Sequence, residues 1–208
     1  MKILSKIFSN TRKPEGFFGR MIVNGMNGGG HAKLAGWGLS EVSIAENADI
    51  LDVGCGGGAN IARLLRRAPK GTVTGIDYSS VSVKKSCEVN AKAIAAGRCQ
   101  VLEGSADALP FEEDSFDLVT AFETVYFWPD IEECFRGVHR TLKDGGSFVI
   151  VNEDDGLTDN NEKWEKMIDG MHTYTPEELR THLSAAGFRD IGVHLDDRHH
   201  WLCVAAVK

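Results

Sequence analysis

The sequence predicts a doubly wound α/β fold, in which a mostly parallel sheet of seven strands is covered by helices on both faces. Three observations support it. Strand-sized apolar runs alternate with helical segments from about residue 44 to residue 152. A glycine-rich turn joins the first of these strands to the first of these helices. The last two strands, 188–195 and 201–207, are joined by a short polar turn, which predicts one antiparallel strand.

The composition is that of an ordinary globular protein with one sizeable core. The chain has 208 residues, of which 42% are hydrophobic and 25% are charged. With 23 Lys and Arg against 30 Asp and Glu, the formal charge of -7 argues against a surface that binds nucleic acid. Five scattered cysteines without a C-x-x-C pair are typical of a reducing compartment. The longest apolar runs are only strand-sized, so we expect a cytoplasmic protein without stable membrane association.

Residues 1–43 are predicted to form an N-terminal helical cap, with the main domain at 44–208. Residues 1–13 have one apolar helical face, typical of a lid or packing arm, with contact to an anionic membrane as the alternative. Gly28, Gly29 and Gly30 precede a helix predicted to start at His31, so the helix before them could move as a flap. His31 becomes a candidate for contact with a substrate, or else only a helix-terminal residue.

The turn after the first strand is built from glycine. Gly54, Gly56, Gly57 and Gly58 can take positive φ and put no Cβ between the main chain and a ligand. The spacing also satisfies the weak dinucleotide pattern G-x-G-x-x-A. Asp52, at the end of the strand, argues against that reading, because a carboxylate repels phosphate and attracts a cation.

The run Asp52-Val53-Gly54-Cys55-Gly56-Gly57-Gly58 resembles the first motif of class I S-adenosylmethionine-dependent methyltransferases, D/E-x-G-x-G-x-G. The resemblance implies that S-adenosylmethionine is the cofactor and that this turn passes under its methionine part. Gly54, Cys55, Gly56 and Gly58 are then cofactor-binding residues. Asp52 is expected near the amino group of the cofactor, through water.

A second acidic residue ends the predicted strand 72–77. Asp77 lies roughly 20 residues beyond the turn, where an acid binds the two ribose hydroxyls of a nucleoside. Alternatively, it caps the next helix. The run Gly75-Ile76-Asp77-Tyr78-Ser79 resembles the second motif of the same family, which adds Tyr78 to the predicted cofactor site.

The segment 104–119 resembles the family pattern G-D-A-x-x-L-P-F-x-D-x-S-F-D-x-V, whose Asp accepts a hydrogen bond from the adenine amino group. This chain has Ser105 at that position and Asp107 two residues later. Ser105 together with the backbone N–H of Ala106 is the preferred interpretation. Asp107 reaching back, or a water molecule, is the alternative.

Candidate catalytic residues are expected near the carboxyl end of the fourth strand, where ligands bind in an open α/β sheet. Glu123 follows that strand directly, and Tyr126 lies in the aromatic loop behind it. His172 precedes a later helix and could face the acceptor. If the acceptor is a weakly acidic hydroxyl or a carbon acid, His31, Glu123, Tyr126 or His172 could act as the base.

No metal site is predicted. Asp196, His199 and His200 are close in sequence, but five adjacent polar residues between two strands are typical of a solvated hairpin turn.

The resemblance extends over about 44–208 and includes Arg140-Thr141-Leu142-Lys143-Asp144-Gly145-Gly146, which is similar to R-x-L-K-P-G-G in the type 11 branch. It implies the Rossmann-like methyltransferase fold with strand order 3-2-1-4-5-7-6, and methyl transfer to a small-molecule acceptor by a monomer or homodimer. The alternatives are a non-catalytic S-adenosylmethionine-binding protein and, less favoured, a nicotinamide-dependent oxidoreductase.

Overall fold

The computed structural model describes residues 29–158, 165–166, 168 and 170–208. The expectations for residues 1–28, including the lid or packing arm and the movable first cap helix, lie outside these residues. In the part of the chain that is described, no helix has the length and apolar character needed to cross a bilayer.

Seven strands form one sheet in the order β3-β2-β1-β4-β5-β7-β6, which confirms the predicted order. Of the described strands, β7 alone runs in the opposite direction to the rest of the sheet. It pairs antiparallel with both of its neighbours, β5 and β6. The strands are β1 (Asp49–Val53), β2 (Thr72–Asp77), β3 (Cys99–Glu103), β4 (Phe116–Phe122), β5 (Leu142–Asn152), β6 (Arg189–Asp196) and β7 (Trp201–Val207).

Helices cover both faces of this sheet. They are α1 (Gly30–Gly38), α2 (Ala59–Arg67), α3 (Ser80–Val89), α4 (Ala91–Ala95), α5 (Ile131–Thr141) and α6 (Pro176–Ala185). Side-chain caps fix where two of these helices begin. At α5 the side chain of Asp130 accepts from the backbone N–H of Glu133. At α6, Thr175 and Glu178 form the capping box expected from their spacing.

Two apolar cores lie on opposite faces of the sheet. One packs α5 and α6 against the sheet around Phe135 and Phe148. The other packs α1 and α2 against the sheet around Leu34 and Ile61. Successive side chains of a strand point to opposite faces and therefore contribute to both cores, as a doubly wound sheet requires.

Helical periodicity over residues 79–96 predicts one long helix, whereas the structure has two helices, α3 and α4, with a break at Asn90. The side-chain amide of Asn90 donates to the carbonyl oxygens of Gly58 and Ser86, both at 3.0 Å. This buried side chain thus ties the break to the start of α2. The sequence predicts the fifth strand over 147–152, whereas β5 begins at Leu142, and its register with β4 shifts between Phe116 and Leu118.

The end of α1 lies directly on the sheet. A Cβ added at Gly38 would come within 2.5 Å of the side chain of Val151 on β5. Beside this contact the rings of Trp37 and Trp201 are 5.9 Å apart. The described part of the predicted cap is therefore packed into the same core as β5 and β7.

Candidate functional site

A cavity of about 260 Å³ lies beyond the carboxyl ends of β1, β2 and β4, beneath α1. Its position is the point where the strand order reverses, which is where open α/β sheets bind ligands. Most of the predicted site residues line it, namely His31, Gly54, Cys55, Gly56, Asp77, Tyr78, Ser105, Ala106 and Glu123. Asp52, Gly58, Asp107, Tyr126 and His172 are not brought to its wall.

The three patterned glycines of the turn have different surroundings. Gly54, Gly56 and Gly58 all have positive φ, of 78°, 50° and 79°. A Cβ at Gly54 would come within 2.4 Å of Thr124, and one at Gly58 within 2.5 Å of Asn90 and Ser86. A Cβ at Gly56 would meet nothing within 4 Å. Gly54 and Gly58 therefore permit close packing of the protein itself, and Gly56 leaves open space beside the cavity.

Asp77 joins the end of β2 to this turn. Its side chain is almost fully buried and accepts from the backbone N–H of Gly56 and of Ser79, each at 2.9 Å. Burial raises its pKa, and these two hydrogen bonds oppose that rise. A carboxylate offers about four acceptor positions, so Asp77 can still accept from ribose hydroxyls.

Asp52 lies deeper than its position before the glycine turn suggests. It is only 1% exposed, and its Oδ1 accepts from the Thr120 hydroxyl at 2.8 Å. Burial raises the pKa of Asp52 to about 7. Its Oδ2 is buried and has no hydrogen-bond partner among the described residues. Asp52 is thus a buried group beneath the turn rather than an anion at the cavity mouth, and its contact with a cofactor amino group stays a prediction.

At the end of the cavity near β3, Ser105 and Ala106 reach the wall and Asp107 does not. Ala106 is buried, whereas Asp107 is exposed on the short 3₁₀ turn 106–108. This placement favours Ser105 and the Ala106 backbone over Asp107 as partners for adenine, and their contact with adenine stays a prediction.

Glu123 marks the opposite end of the cavity. It follows β4 with a positive φ of 61°, and its side chain is 12% exposed. Its Oε1 accepts from the backbone N–H of Glu153 and from the Tyr126 hydroxyl. Its Oε2 lies 3.9 Å from His31 Nδ1. Burial and the nearby charge of Glu153 raise the pKa of Glu123 well above its usual range.

The other two catalytic candidates are placed differently. Tyr126 is buried and reaches the cavity only through its 3.4 Å hydrogen bond to Glu123. His172 is half-exposed, lies 3.2 Å from Glu165, and packs its ring against Tyr174. The structure therefore groups His31, Glu123 and Tyr126, and it leaves His172 outside this group.

Several residues that line the cavity were not among the site residues predicted from the sequence. Leu34 and Ala35 come from α1, whose place over the cavity no sequence motif indicates. Arg63 lies one turn into α2, on the side facing the cavity. Phe127 and Trp128 come from the aromatic loop after β4, and that density of aromatic residues was the available signal. Trp128 both lines the cavity and packs within the core, since its ring also stacks on Phe148 at 6.1 Å.

The polar turn before β7 forms contacts within the protein. His199 lies 3.1 Å from Asp196 and stacks on Trp201 at 4.4 Å. His200 lies 3.1 Å from Asp155, a buried residue of the loop after β5. These contacts connect the hairpin to that loop.

Comparison with known proteins identifies the family. The family model described as "Methyltransferase domain", of the type 11 branch, matches residues 51–150. The chain is 28% identical over 173 residues to YrhH of Bacillus subtilis, which carries a provisional methyltransferase name, and covers 83% of it. It is 31% identical over 114 residues to the demethylmenaquinone methyltransferase of Lactiplantibacillus plantarum. That match covers 54% of this chain and 48% of the relative.

A solved S-adenosylmethionine-dependent methyltransferase of Aquifex aeolicus superposes with a TM-score of 0.75 at 20% identity. The match covers 90% of this chain and 97% of that one. The fold and the matched motif together define a Rossmann-like methyltransferase. The chain belongs to the class I S-adenosylmethionine-dependent methyltransferases, so it is an enzyme whose cofactor is S-adenosylmethionine. It spans only about a third of the sterol methyltransferases that it matches.

The residues present fit this cofactor. Gly56 leaves room for a ligand beside the turn. Asp77 offers free acceptor positions at the wall, and the unpartnered Oδ2 of Asp52 is a buried acceptor below it. A site with two carboxylates beside a turn that has no side chains suits a ligand that combines a cation with hydroxyl groups.

Proposed function

We propose that this methyltransferase acts on a small-molecule acceptor, by in-line displacement at the methyl carbon. The observation that supports it best is the cavity itself, since one continuous space is lined by the glycine turn, His31 and Glu123. When bound, S-adenosylmethionine supplies a methyl group on positively charged sulfur. Aligning two reactants in such a space can contribute about 7–11 kcal/mol toward the barrier.

We propose that the donor end is formed by the predicted cofactor residues at the wall. Gly54, Cys55 and Gly56 lie along the turn, and Asp77 with Tyr78 lies at the end of β2. Ser105 and Ala106 extend this end toward β3. Asp52 acts from below, where a cationic group near its Oδ2 would favour the charged carboxylate.

The acceptor end is formed by His31 and Glu123. Glu123 is the carboxylate at this end of the wall, and its raised pKa makes it a stronger base than an ordinary glutamate. Tyr126 is a positioning residue, because its hydroxyl holds Oε1 of Glu123. His172 has no part in this proposal, since it lies away from the cavity wall.

Three observations favour a small molecule over a polymer. The cavity is small, about 260 Å³, and α1 contributes His31, Leu34 and Ala35 to its wall. The net charge of -7 disfavours nucleic acid. The related demethylmenaquinone methyltransferase is named for a small quinone. We further propose a cytoplasmic monomer or homodimer, in line with five free cysteines.

The test is a screen of small hydroxyl, amine and carbon-acid compounds with the purified enzyme and S-adenosylmethionine. We expect acceptor-dependent formation of S-adenosylhomocysteine together with a methylated product, detected by mass spectrometry. Glu123→Gln should reduce turnover of that acceptor roughly 100-fold or more, in keeping with loss of a proton acceptor. Glu113→Gln, an exposed acid away from the cavity, is the matched control. Cofactor binding without turnover of any acceptor would favour the non-catalytic alternative.

A further inference from the structure

Three side chains from distant parts of the sequence meet at the acceptor end of the cavity. They are His31 on α1, Glu123 after β4 and Glu153 after β5, and one ligand atom of each lies within 4.8 Å of the others. We infer that this cluster is a binding site for a divalent first-row transition-metal ion. It is the sole cluster of this kind in the part of the chain that the structure describes.

The spacing suits a single ion after a small adjustment of side chains. Donor atoms that share one ion through bonds of about 2.1 Å stand roughly 3–4.5 Å apart. His31 Nδ1 and Glu123 Oε2 are 3.9 Å apart, inside this range and too far apart for a hydrogen bond. Glu153 is exposed, so its side chain can move toward the other two.

Glu123 is already oriented as a metal ligand needs to be. Its Oε1 is held by two donors, the backbone N–H of Glu153 and the hydroxyl of Tyr126. Its Oε2 is left facing His31. Hydrogen bonds of this kind orient the ligating atom and are a regular feature of protein metal sites.

The local charge favours a cation. The backbone N–H of Glu153 donates to Glu123, so the consecutive acids Glu153 and Asp154 lie beside that carboxylate. Arg63 is the lone Lys or Arg among the described residues that line the cavity, and its guanidinium bonds to Asn60 at 2.8 Å. The carboxylates therefore lack a strong counter-charge of their own at this end of the wall.

One imidazole and two carboxylates suit Mn²⁺, Fe²⁺ or Zn²⁺, and they leave coordination positions open. An ion held here would bind an acceptor oxygen and lower the pKa of its hydroxyl, so that the proton passes to bulk water, and Glu123 is the base of the proposed function only while the ion is absent. This role rests on the proposed function, whereas binding of the ion does not.

The test uses the full chain, purified without a metal-affinity tag and treated with a chelator. Calorimetry with MnCl₂ and ZnCl₂ should show one site per chain, with Zn²⁺ the tighter, as the usual order of divalent affinities predicts. Pulsed electron paramagnetic resonance of the Mn²⁺ complex should show coupling to one imidazole nitrogen. His31→Ala should abolish that coupling, and Glu153→Gln should weaken Mn²⁺ binding about tenfold or more.

Glu113→Gln is the control and should bind Mn²⁺ as the native enzyme does. Because His31 and Glu153 lie outside the proposed donor end, binding of S-adenosylmethionine by both variants would show that they are folded. Unchanged Mn²⁺ affinity in both variants would overturn the inference, as would the lack of saturable binding of either ion. Saturable binding of an alkylammonium salt but not of Mn²⁺ would assign the cluster to an organic cation instead. Neither readout requires an acceptor, so failure here is separate from failure of the proposed function.

Discussion

Asp77 connects two roles in one side chain. It receives hydrogen bonds from Gly56 and Ser79, so it shapes the turn, and it lies on the cavity wall. The two interpretations left open by the sequence, a ribose ligand and a local cap, are compatible in this geometry. The contact with Ser79, which precedes α3, is the cap-like part.

Asp77→Ala should weaken binding of S-adenosylmethionine by about 1.5–3 kcal/mol, which is the range for hydrogen bonds to a charged group. Calorimetry would then show an affinity about 10- to 150-fold lower. Asp107→Ala is the matched control, since Asp107 is exposed and away from the wall. Equal affinities of the Asp77 variant and the native protein would contradict the assignment.

The buried Asp52 should make stability depend on pH in an unusual direction. Its pKa is about 7 in the fold and 3.8 in the unfolded chain. Folding therefore favours the protonated form. The stabilising contribution is complete below about pH 4, and it is lost as pH rises toward 7.

Urea unfolding of the native protein and of Asp52→Asn at several pH values tests this expectation. Relative to the variant, the free energy of unfolding of the native protein should fall between pH 4 and pH 7, by up to about 4 kcal/mol. Glu123 also has a raised pKa but contributes to both proteins, whereas Asp77 interacts with the charge of Asp52, so the measured difference includes that coupling. A difference that stays flat, or that grows with pH, would show that Asp52 is not buried in this way.

Residue identity alone could not have revealed these environments. The motif correctly pointed to Asp52 as a special position, but an aspartate at the end of a strand can lie at the surface or beneath the turn. Its burial depends on Thr120 of β4, which is distant in sequence. The cluster of His31, Glu123 and Glu153 could not be predicted for the same reason, because its members are distant in sequence. Glu153 also falls in a polar stretch whose sequence predicts only a loop.

At the scale of elements, the turn and α2 form one unit with α3. Gly58 lies against Ser86 and Asn90, and Asn90 in turn bonds to the Gly58 carbonyl. This contact explains why the predicted long helix breaks where it does. Helical periodicity predicted its two ends, but the break depends on a tertiary contact and has no local signal.

Two alanine substitutions in the turn should separate packing from ligand binding. Gly58→Ala places a Cβ within 2.5 Å of Asn90 and should destabilise the fold by about 2–4 kcal/mol, through strain at positive φ together with overpacking. Gly56→Ala has the strain without the overlap and should cost only about 1–2 kcal/mol. It should weaken S-adenosylmethionine binding more than its stability loss explains.

Urea unfolding and calorimetry on the same two variants give the comparison. Equal losses of stability would mean that the surroundings of Gly58 can relax. An unaffected cofactor affinity in Gly56→Ala would mean that the ligand does not pass over the turn.

At the scale of the whole molecule, the fold class was predictable because each strand and crossover has a strong local pattern. The sheet order 3-2-1-4-5-7-6 followed from the family resemblance and is confirmed. The domain boundary at 43–44 remains a prediction, and the described cap residues share a core with the sheet. The contacts of α1 with β5 and β7 could not be predicted, since these strands come from the far end of the sequence.

Ligands that bind only the folded chain should stabilise all of it. S-adenosylmethionine at 100 times its dissociation constant should add about 2.7 kcal/mol to the free energy of unfolding. NAD at the same concentration should leave it unchanged, because the chain belongs to the methyltransferases. Thermal and urea unfolding with each ligand provide the measurement, and a larger effect of NAD would contradict the cofactor assignment.

The contact between Gly38 and Val151 limits how the acceptor end can be redesigned. The carboxyl end of α1 is seated on the sheet without room for a methyl group, so substitutions there would displace the helix. Its first turns, which carry His31 and Leu34, face the cavity. Libraries aimed at new acceptors should therefore vary the amino-terminal half of this helix and keep its last residue.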